Sequence, residues 1–174
     1  KQLFGPIPAK RLPPRPTVKL QPIEPQTIRL ETDLPYGLLV TAFRLPGIHD
    51  PDYAAVEVLA DVLSSERGAL YGLVPEGKAL YADFSLELLP EAGLGYAAAA
   101  FPAGGDAQTL ERDVRAILAR IAKEGVPADL VEAAKVQERR EAEFAKNSIE
   151  GLATIWSEAV AVYGLESPDD GLAR

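Results

Sequence analysis

Few residues of this sequence could do chemistry, and the first candidate is its single histidine. His49 is followed by Asp50 and Asp52, so one imidazole and two carboxylates could form part of a metal site. Catalytic zinc normally takes three protein ligands from histidine, cysteine and carboxylate side chains. The sequence offers no cysteine and no second histidine. We therefore interpret His49 as a loop residue before a helix cap and expect no metal site in this chain.

Two further stretches have both a functional and a structural interpretation. Residues 137–143 (QERREAE) pair glutamate and arginine at three- or four-residue spacing. This pairing is typical of a solvated helix face, although a docking surface stays open. Residues 94–101 (LGYAAAAF) form a strand of small residues that either packs tightly under helices or accepts a peptide as an extra strand. We favour packing for the strand and solvation for the helix.

Composition limits the classes of protein and partner. With 174 residues, 47% hydrophobic and 25% charged, the chain is long enough for one globular domain with its own core. A net charge of −8 disfavours nucleic acid and anionic membrane surfaces as partners, because both are polyanions. No apolar run approaches the roughly 20 residues needed for membrane insertion. The chain also lacks methionine, so we expect a piece of a longer protein or a processed one.

The order of elements can be read from proline placement and hydrophobic periodicity. Residues 1–25 carry seven prolines and predict a semi-rigid extended linker arm. Beyond the arm, period-two patterns predict strands and three-to-four-residue patterns predict helices. The expected elements are strands over 27–31 and 37–45, a helix capped by Asp50, a short helix over 69–74, a hairpin of strands over 80–88 and 94–101, and helices over 108–123, over 128–146, and from Ser148 to near Gly164.

Antiparallel strands followed by segregated helices predict an α+β fold. We expect an antiparallel sheet of at least four strands with helices packed on one face, occupying residues 26–174. Along the strand over 80–88, Leu80, Ala82, Phe84 and a candidate fourth residue, Leu86, are expected on one side, because alternate residues share a face.

Five stretches in this order resemble the second, non-catalytic domain of M16 zinc metallopeptidases, the family of pitrilysin, insulinase and the mitochondrial processing peptidase. They are residues 4–8 (FGPIP), 45–55 (LPGIHDPDYAA), 58–65 (VLADVLSS), 70–74 (LYGLV) and 125–135 (GVPADLVEAAK). Their order and spacing carry the resemblance, which implies a LuxS/MPP-like fold. The family domain continues with another helix and strand, so we expect this domain to be truncated at its C-terminal end.

The resemblance also implies where the zinc chemistry lies. The family's catalytic signature is His-x-x-Glu-His on a helix, in which two imidazoles bind zinc and the glutamate activates water. That signature is absent from this chain, and in two-domain members it lies in the preceding domain. The resemblance therefore implies an inert chain, with zinc held by a catalytic M16 domain in cis or in a partner subunit.

Active family members often carry an arginine and a tyrosine in the second domain that hold the substrate backbone near the zinc. Such side chains could donate to a carbonyl or an oxyanion. Aligning residues 73–81 with that family segment places Tyr81 on the tyrosine position and Val74 on the arginine position. The pair is then either lost or completed by another residue such as Arg67. A strand residue with a solvated hydroxyl is the competing interpretation of Tyr81.

The resemblance implies two possible functions. In the first, the chain completes the substrate chamber of a zinc metalloendopeptidase and helps bind the peptide substrate. In the second, it is a catalytically inactive scaffold or partner subunit, as in members that have lost the zinc signature, and the valine at position 74 raises that alternative. Bacterial members are often exported and organellar ones process imported precursors, so the compartment stays open.

Overall fold

The computed structural model describes residues 6, 8, 13 and 16–169 and divides the chain into two units, residues 1–30 and residues 31–174. In the first unit the described residues form no helix or strand. Of the stretch over 4–8, only Pro6 and Pro8 are described, and the rest lies outside the described residues. The linker over 1–25 and the domain boundary at residue 26 stay predictions.

The second unit contains a three-stranded antiparallel sheet. In the spatial order β1-β3-β2, its strands are β1 (Tyr36–Leu45), β2 (Tyr81–Leu88) and β3 (Gly93–Pro102). β3 lies in the centre, so that Leu39 of β1 and Ala82 of β2 both pair with Ala99. The predicted hairpin is confirmed, because β2 and β3 are joined by a short turn in which the Leu89 N–H donates to the Ala92 carbonyl at 3.1 Å.

The prediction of a strand over residues 27–31 is wrong. Ile28 and Leu30 are 69% and 86% exposed, and residues 27–31 take no part in the strand ladders. An alternating pattern yields a strand only where a neighbour pairs with its backbone and a core covers its apolar face. The described part of the chain therefore has three strands and not four. Leu80 precedes the first residue of β2 and is exposed.

Among the described residues, four α-helices and one 3-10 turn complete this unit. They are α1 (Tyr53–Ser64), the 3-10 turn (Tyr71–Leu73), α2 (Ala107–Glu124), α3 (Ala128–Ala145) and α4 (Ile149–Ala161). Ser148 caps α4 as predicted, since its Oγ accepts the Gly151 N–H at 2.8 Å. Asp50 does not cap α1. Its Oδ1 accepts the Asp52 N–H at 3.0 Å in the turn before the helix.

The core lies between one face of the sheet and the helices. Small side chains on the strands let α1, α2 and the 3-10 turn approach closely. At Gly95 a Cβ would lie 2.4 Å from Leu45 Cδ1 and 2.9 Å from Phe84 Cζ, so only glycine fits without a shift. The small residues of β3 therefore serve packing on this face. The buried core residues are Ala60, Leu63, Leu70, Leu73, Ala79, Ala82, Phe84, Ala97, Ala99, Leu110 and Val114.

A second layer is formed by α3, which packs on α1. Val62 of α1 contacts Leu130 and Ala134 of α3 in a small apolar cluster. The predicted α+β fold, an antiparallel sheet with helices packed on one face, is confirmed. No helix in the described part of the chain is long and apolar enough to cross a membrane.

Candidate functional site

The face of the sheet opposite the helices is the most extended candidate surface. Successive side chains of a strand point to opposite faces, so the strand register identifies the residues that share this open face. They are Tyr36, Leu38, Val40, Ala42 and Arg44 of β1, Leu94, Tyr96, Ala98 and Ala100 of β3, and Tyr81, Asp83, Ser85 and Glu87 of β2.

On this face the register places small side chains of β3 between larger side chains of β1 and β2, which outlines a shallow trough. Ala98 and Ala100 form its floor, because their side chains are small. Leu38 and Val40 flank it on the β1 side and are 59% and 50% exposed, and Tyr81 flanks it on the β2 side. The flanking strands are about 10 Å apart, twice the usual strand spacing. The trough, defined by these five residues, follows the central strand of the sheet.

Tyr81 brings a hydroxyl to the rim of the trough. It is half exposed, and its hydroxyl donates to Asp83 Oδ2 at 2.9 Å. This hydrogen bond, with smaller contributions from burial and from the Asp83 charge, raises the pKa of Tyr81 above its ordinary value. The phenol therefore stays protonated at neutral pH. It can donate to a carbonyl oxygen or an oxyanion that displaces Asp83.

The structure does not bring Arg67 to this surface. Arg67 lies in the loop after α1, and its Nη2 pairs with Asp129 Oδ2 in the first turn of α3, on the helical side of the sheet. Val74 ends the 3-10 turn and packs against the core. Of the two residues predicted to bind substrate, Tyr81 lies on the open face and Arg67 does not. The substrate-binding role of both stays a prediction.

Among the described residues, His49 has no partners that would suit a metal ion. Its Nδ1 lies 3.8 Å from Glu91 Oε1, and both side chains are exposed. Within residues 6, 8, 13 and 16–169, no group of three histidine, cysteine, aspartate or glutamate side chains is placed to hold a metal ion. With one histidine and no cysteine in the sequence, the residues of this chain do not fit a catalytic zinc site.

An acidic cavity of about 380 Å³ between α1 and α3 was missed by the sequence reasoning. Glu57 and Asp61 lie one helical turn apart on α1 and face Glu138 of α3. The sequence does carry a sign of this cavity, because the two α1 carboxylates are spaced one helical turn apart among apolar residues that face inward. Residues 137–143 are mostly exposed, as expected for a solvated face, but Glu138 is an exception that points inward.

A family model for the inactive domain of peptidase M16 matches residues 1–138. This match covers most of the 174 residues. The chain therefore belongs to the family of M16 peptidase inactive domains, which confirms the family that the sequence resembles.

Solved structures share the fold. The inactive peptidase domain of a proposed zinc protease from Bordetella parapertussis aligns with a TM-score of 0.66 at 23% identity, over 72% of this chain and 70% of that one. A protease from Helicobacter pylori aligns with a TM-score of 0.66 at 15% identity, over 73% of this chain and 32% of that one. A peptidase M16 inactive domain from Pseudomonas fluorescens aligns with a TM-score of 0.60 at 19% identity, over 79% of this chain and 34% of that one. This chain thus spans about a third of the length of the last two. No curated protein matches the chain.

Proposed function

We propose that this chain is the non-catalytic domain of an M16-type zinc metalloendopeptidase and that its open sheet face forms part of the wall of the substrate chamber. The zinc is held by a catalytic M16 domain in the same protein or in a partner subunit. In this role the chain binds an extended peptide and leaves the bond cleavage to the other domain.

The observation that supports the proposal is the trough on the open face. Leu38 and Val40 expose apolar surface on a face that no described helix covers, and the alanine floor leaves room for a peptide backbone. Contiguous exposed apolar surface marks a candidate interaction site. Tyr81 adds one hydroxyl donor at the rim. It would hold a substrate carbonyl while the apolar side of the trough contacts side chains.

The alternative is a catalytically inactive scaffold or partner subunit. It is favoured by Val74, which packs into the core at the position where active relatives carry an arginine, and by Arg67, which is paired with Asp129 on the helical side. In this alternative the open face contacts another protein surface and not a passing peptide.

Peptidase assays of the complete parent protein test the proposal. We expect the parent to cleave a quenched fluorogenic peptide, a zinc chelator to abolish cleavage, and the 174-residue chain alone to be inactive. Ala98→Phe would fill the trough without entering the core, because Ala98 lies on the open face. We expect it to lower cleavage by the parent.

Ala133→Phe is the matched control, since it adds the same ring at an exposed position of α3. Loss of activity in the trough variant with retention in the control supports a chamber wall. A folded parent that cleaves nothing supports the scaffold. Equal activity of both variants would contradict the role of the trough.

A further inference from the structure

The acidic cavity between α1 and α3 carries an inference that is independent of the trough. We define the acidic seam as Glu57, Asp61 and Glu138. These carboxyls line a cavity whose floor is the inner side of β2. The hydroxyphenyl group of Tyr163, which lies just after α4, completes the lining. The seam therefore joins α1, α3 and the segment after α4 at one place.

The groups that face the seam from each packed element give it no positive charge. α3 adds a further carboxyl, Glu141, and near Tyr163 lies Glu158 of α4. Among the described residues, no lysine, arginine or histidine lines the cavity. The residues that β2 contributes are all apolar, namely Phe84, Leu86 and Leu88.

The arrangement of the seam favours a proton on its carboxyls. Asp61 Oδ2 is buried and receives no hydrogen bond from the described residues. Its carboxyl shares the cavity lining with Glu57 and Glu138. Ionised carboxylates that face one another without a counter-charge repel, so protonation of one of them favours the closed arrangement.

The same surroundings favour protonation near neutral pH. Burial, followed by the charge of Glu138, raises the pKa of Glu57 to about 7. Burial, followed by the hydrogen bond and the charge of Asp61, raises the pKa of Glu138 to about 7. Burial also raises the pKa of Asp61. The seam therefore changes its charge near pH 7.

α3 is attached to α1 in two different ways along its length. Its N-terminal half is held by Leu130 and Ala134, which contact Val62, and by the ion pair of Asp129 with Arg67. Farther along α3, Glu138 of the acidic seam faces α1.

We propose that the acidic seam is a pH-sensitive clasp, which holds the C-terminal half of α3 and α4 against α1 while its carboxyls share protons and releases them when the carboxyls ionise. The direction of this pH effect follows from the difference in pKa between the folded and unfolded chains. Glutamate pKa values that are higher in the folded chain than the ordinary 4.5 stabilise the closed form below pH 4.5. This contribution is lost as the pH rises toward about 7. The clasp is closed in acid and open above neutral pH.

Hydrogen exchange of the 174-residue chain tests the clasp. We expect exchange over residues 138–161, corrected for the intrinsic rate, to rise by about tenfold or more between about pH 5 and about pH 8, while α2 stays protected. Trp156 lies on α4 and is the single tryptophan, so its emission should change over the same pH range.

Glu138→Gln and Glu57→Gln should weaken the transition, because an amide neither ionises nor needs an added proton to donate a hydrogen bond. Glu132→Gln is the matched control on α3, since Glu132 lies on the outer surface and pairs with Lys135, and it should keep the transition. An unchanged transition in both seam variants, or an equal rise of exchange in α2, would overturn the proposal. Circular dichroism confirms that each variant is folded, and Asp61→Asn replaces any variant that is not.

Discussion

The two faces of the sheet use the same three strands for different purposes. On the helical face, Ala82, Phe84, Ala97 and Ala99 are buried, and Gly95 leaves no room for even one added carbon. On the open face, Leu38 and Val40 keep about half of their surface exposed beside an alanine floor. The difference shows that β3 is small on both sides for separate reasons. One side admits helices, and the other leaves a trough.

This comparison makes a direct prediction for neighbouring residues of β2. Phe84 is 6% exposed on the helical face, so Phe84→Ala should lower the free energy of unfolding by about 3–5 kcal/mol, through lost burial and a residual cavity. Ser85 is on the open face, so Ser85→Ala should change the free energy of unfolding by less than about 0.5 kcal/mol. Urea denaturation of both variants measures the difference. Similar losses would show that the two faces are equally buried.

Glycine substitutions test the packing of the helical face from the other direction. Gly95→Ala places a Cβ against Leu45 and Phe84, and such overpacking typically costs about 1–3 kcal/mol. Gly72 has open space around it and no positive φ, so Gly72→Ala should be neutral or stabilising by up to about 1 kcal/mol. Thermal denaturation compares the two variants. Equal stability of both would mean that the Leu45 and Phe84 side chains can shift away from β3 at little cost.

The parts of the fold that could be predicted are those with strong local signals. The hairpin and the helices carry periodic apolar residues and turn residues at their ends, and Ser148 caps α4 as its position predicted. The strand over 27–31 failed because alternation does not reveal whether a partner strand is available. The cap of α1 failed because Asp50 makes its hydrogen bond within a turn that the sequence does not distinguish from a cap.

The candidate site was predictable only in part. Tyr81 came from the resemblance to a family segment, and its face is determined once the register of β2 against β3 is known. The trough needs the register of all three strands, which no short pattern contains. The acidic seam needs the packing of Glu138 against Asp61, which are far apart in the sequence. Long-range pairs of this kind depend on tertiary structure and leave no local pattern.

Tyr81→Phe tests the role of the hydroxyl at the rim of the open face. It removes only the hydroxyl that donates to Asp83, so stability should change by less than about 1 kcal/mol. If the hydroxyl holds substrate, kcat/KM of the parent should fall by at least about tenfold, toward the hundredfold that loss of a dedicated oxyanion donor costs. Tyr96→Phe, on the same face, is the matched control and should retain activity. Equal activity of wild type and both variants would remove Tyr81 from the binding surface.

The smallest effect is expected for Arg67, which lies on the helical side. Both members of its pair with Asp129 are 63% exposed, and exposed ion pairs contribute about 0–1 kcal/mol because water screens the charges. Arg67→Ala should therefore lower the free energy of unfolding by less than about 1 kcal/mol and leave cleavage by the parent unchanged. Asp129→Asn separates the two explanations, since it breaks the pair but keeps the guanidinium. If Arg67→Ala lowers kcat/KM and Asp129→Asn does not, Arg67 leaves its partner to reach the substrate. The helical side of the sheet would then also contribute to substrate binding.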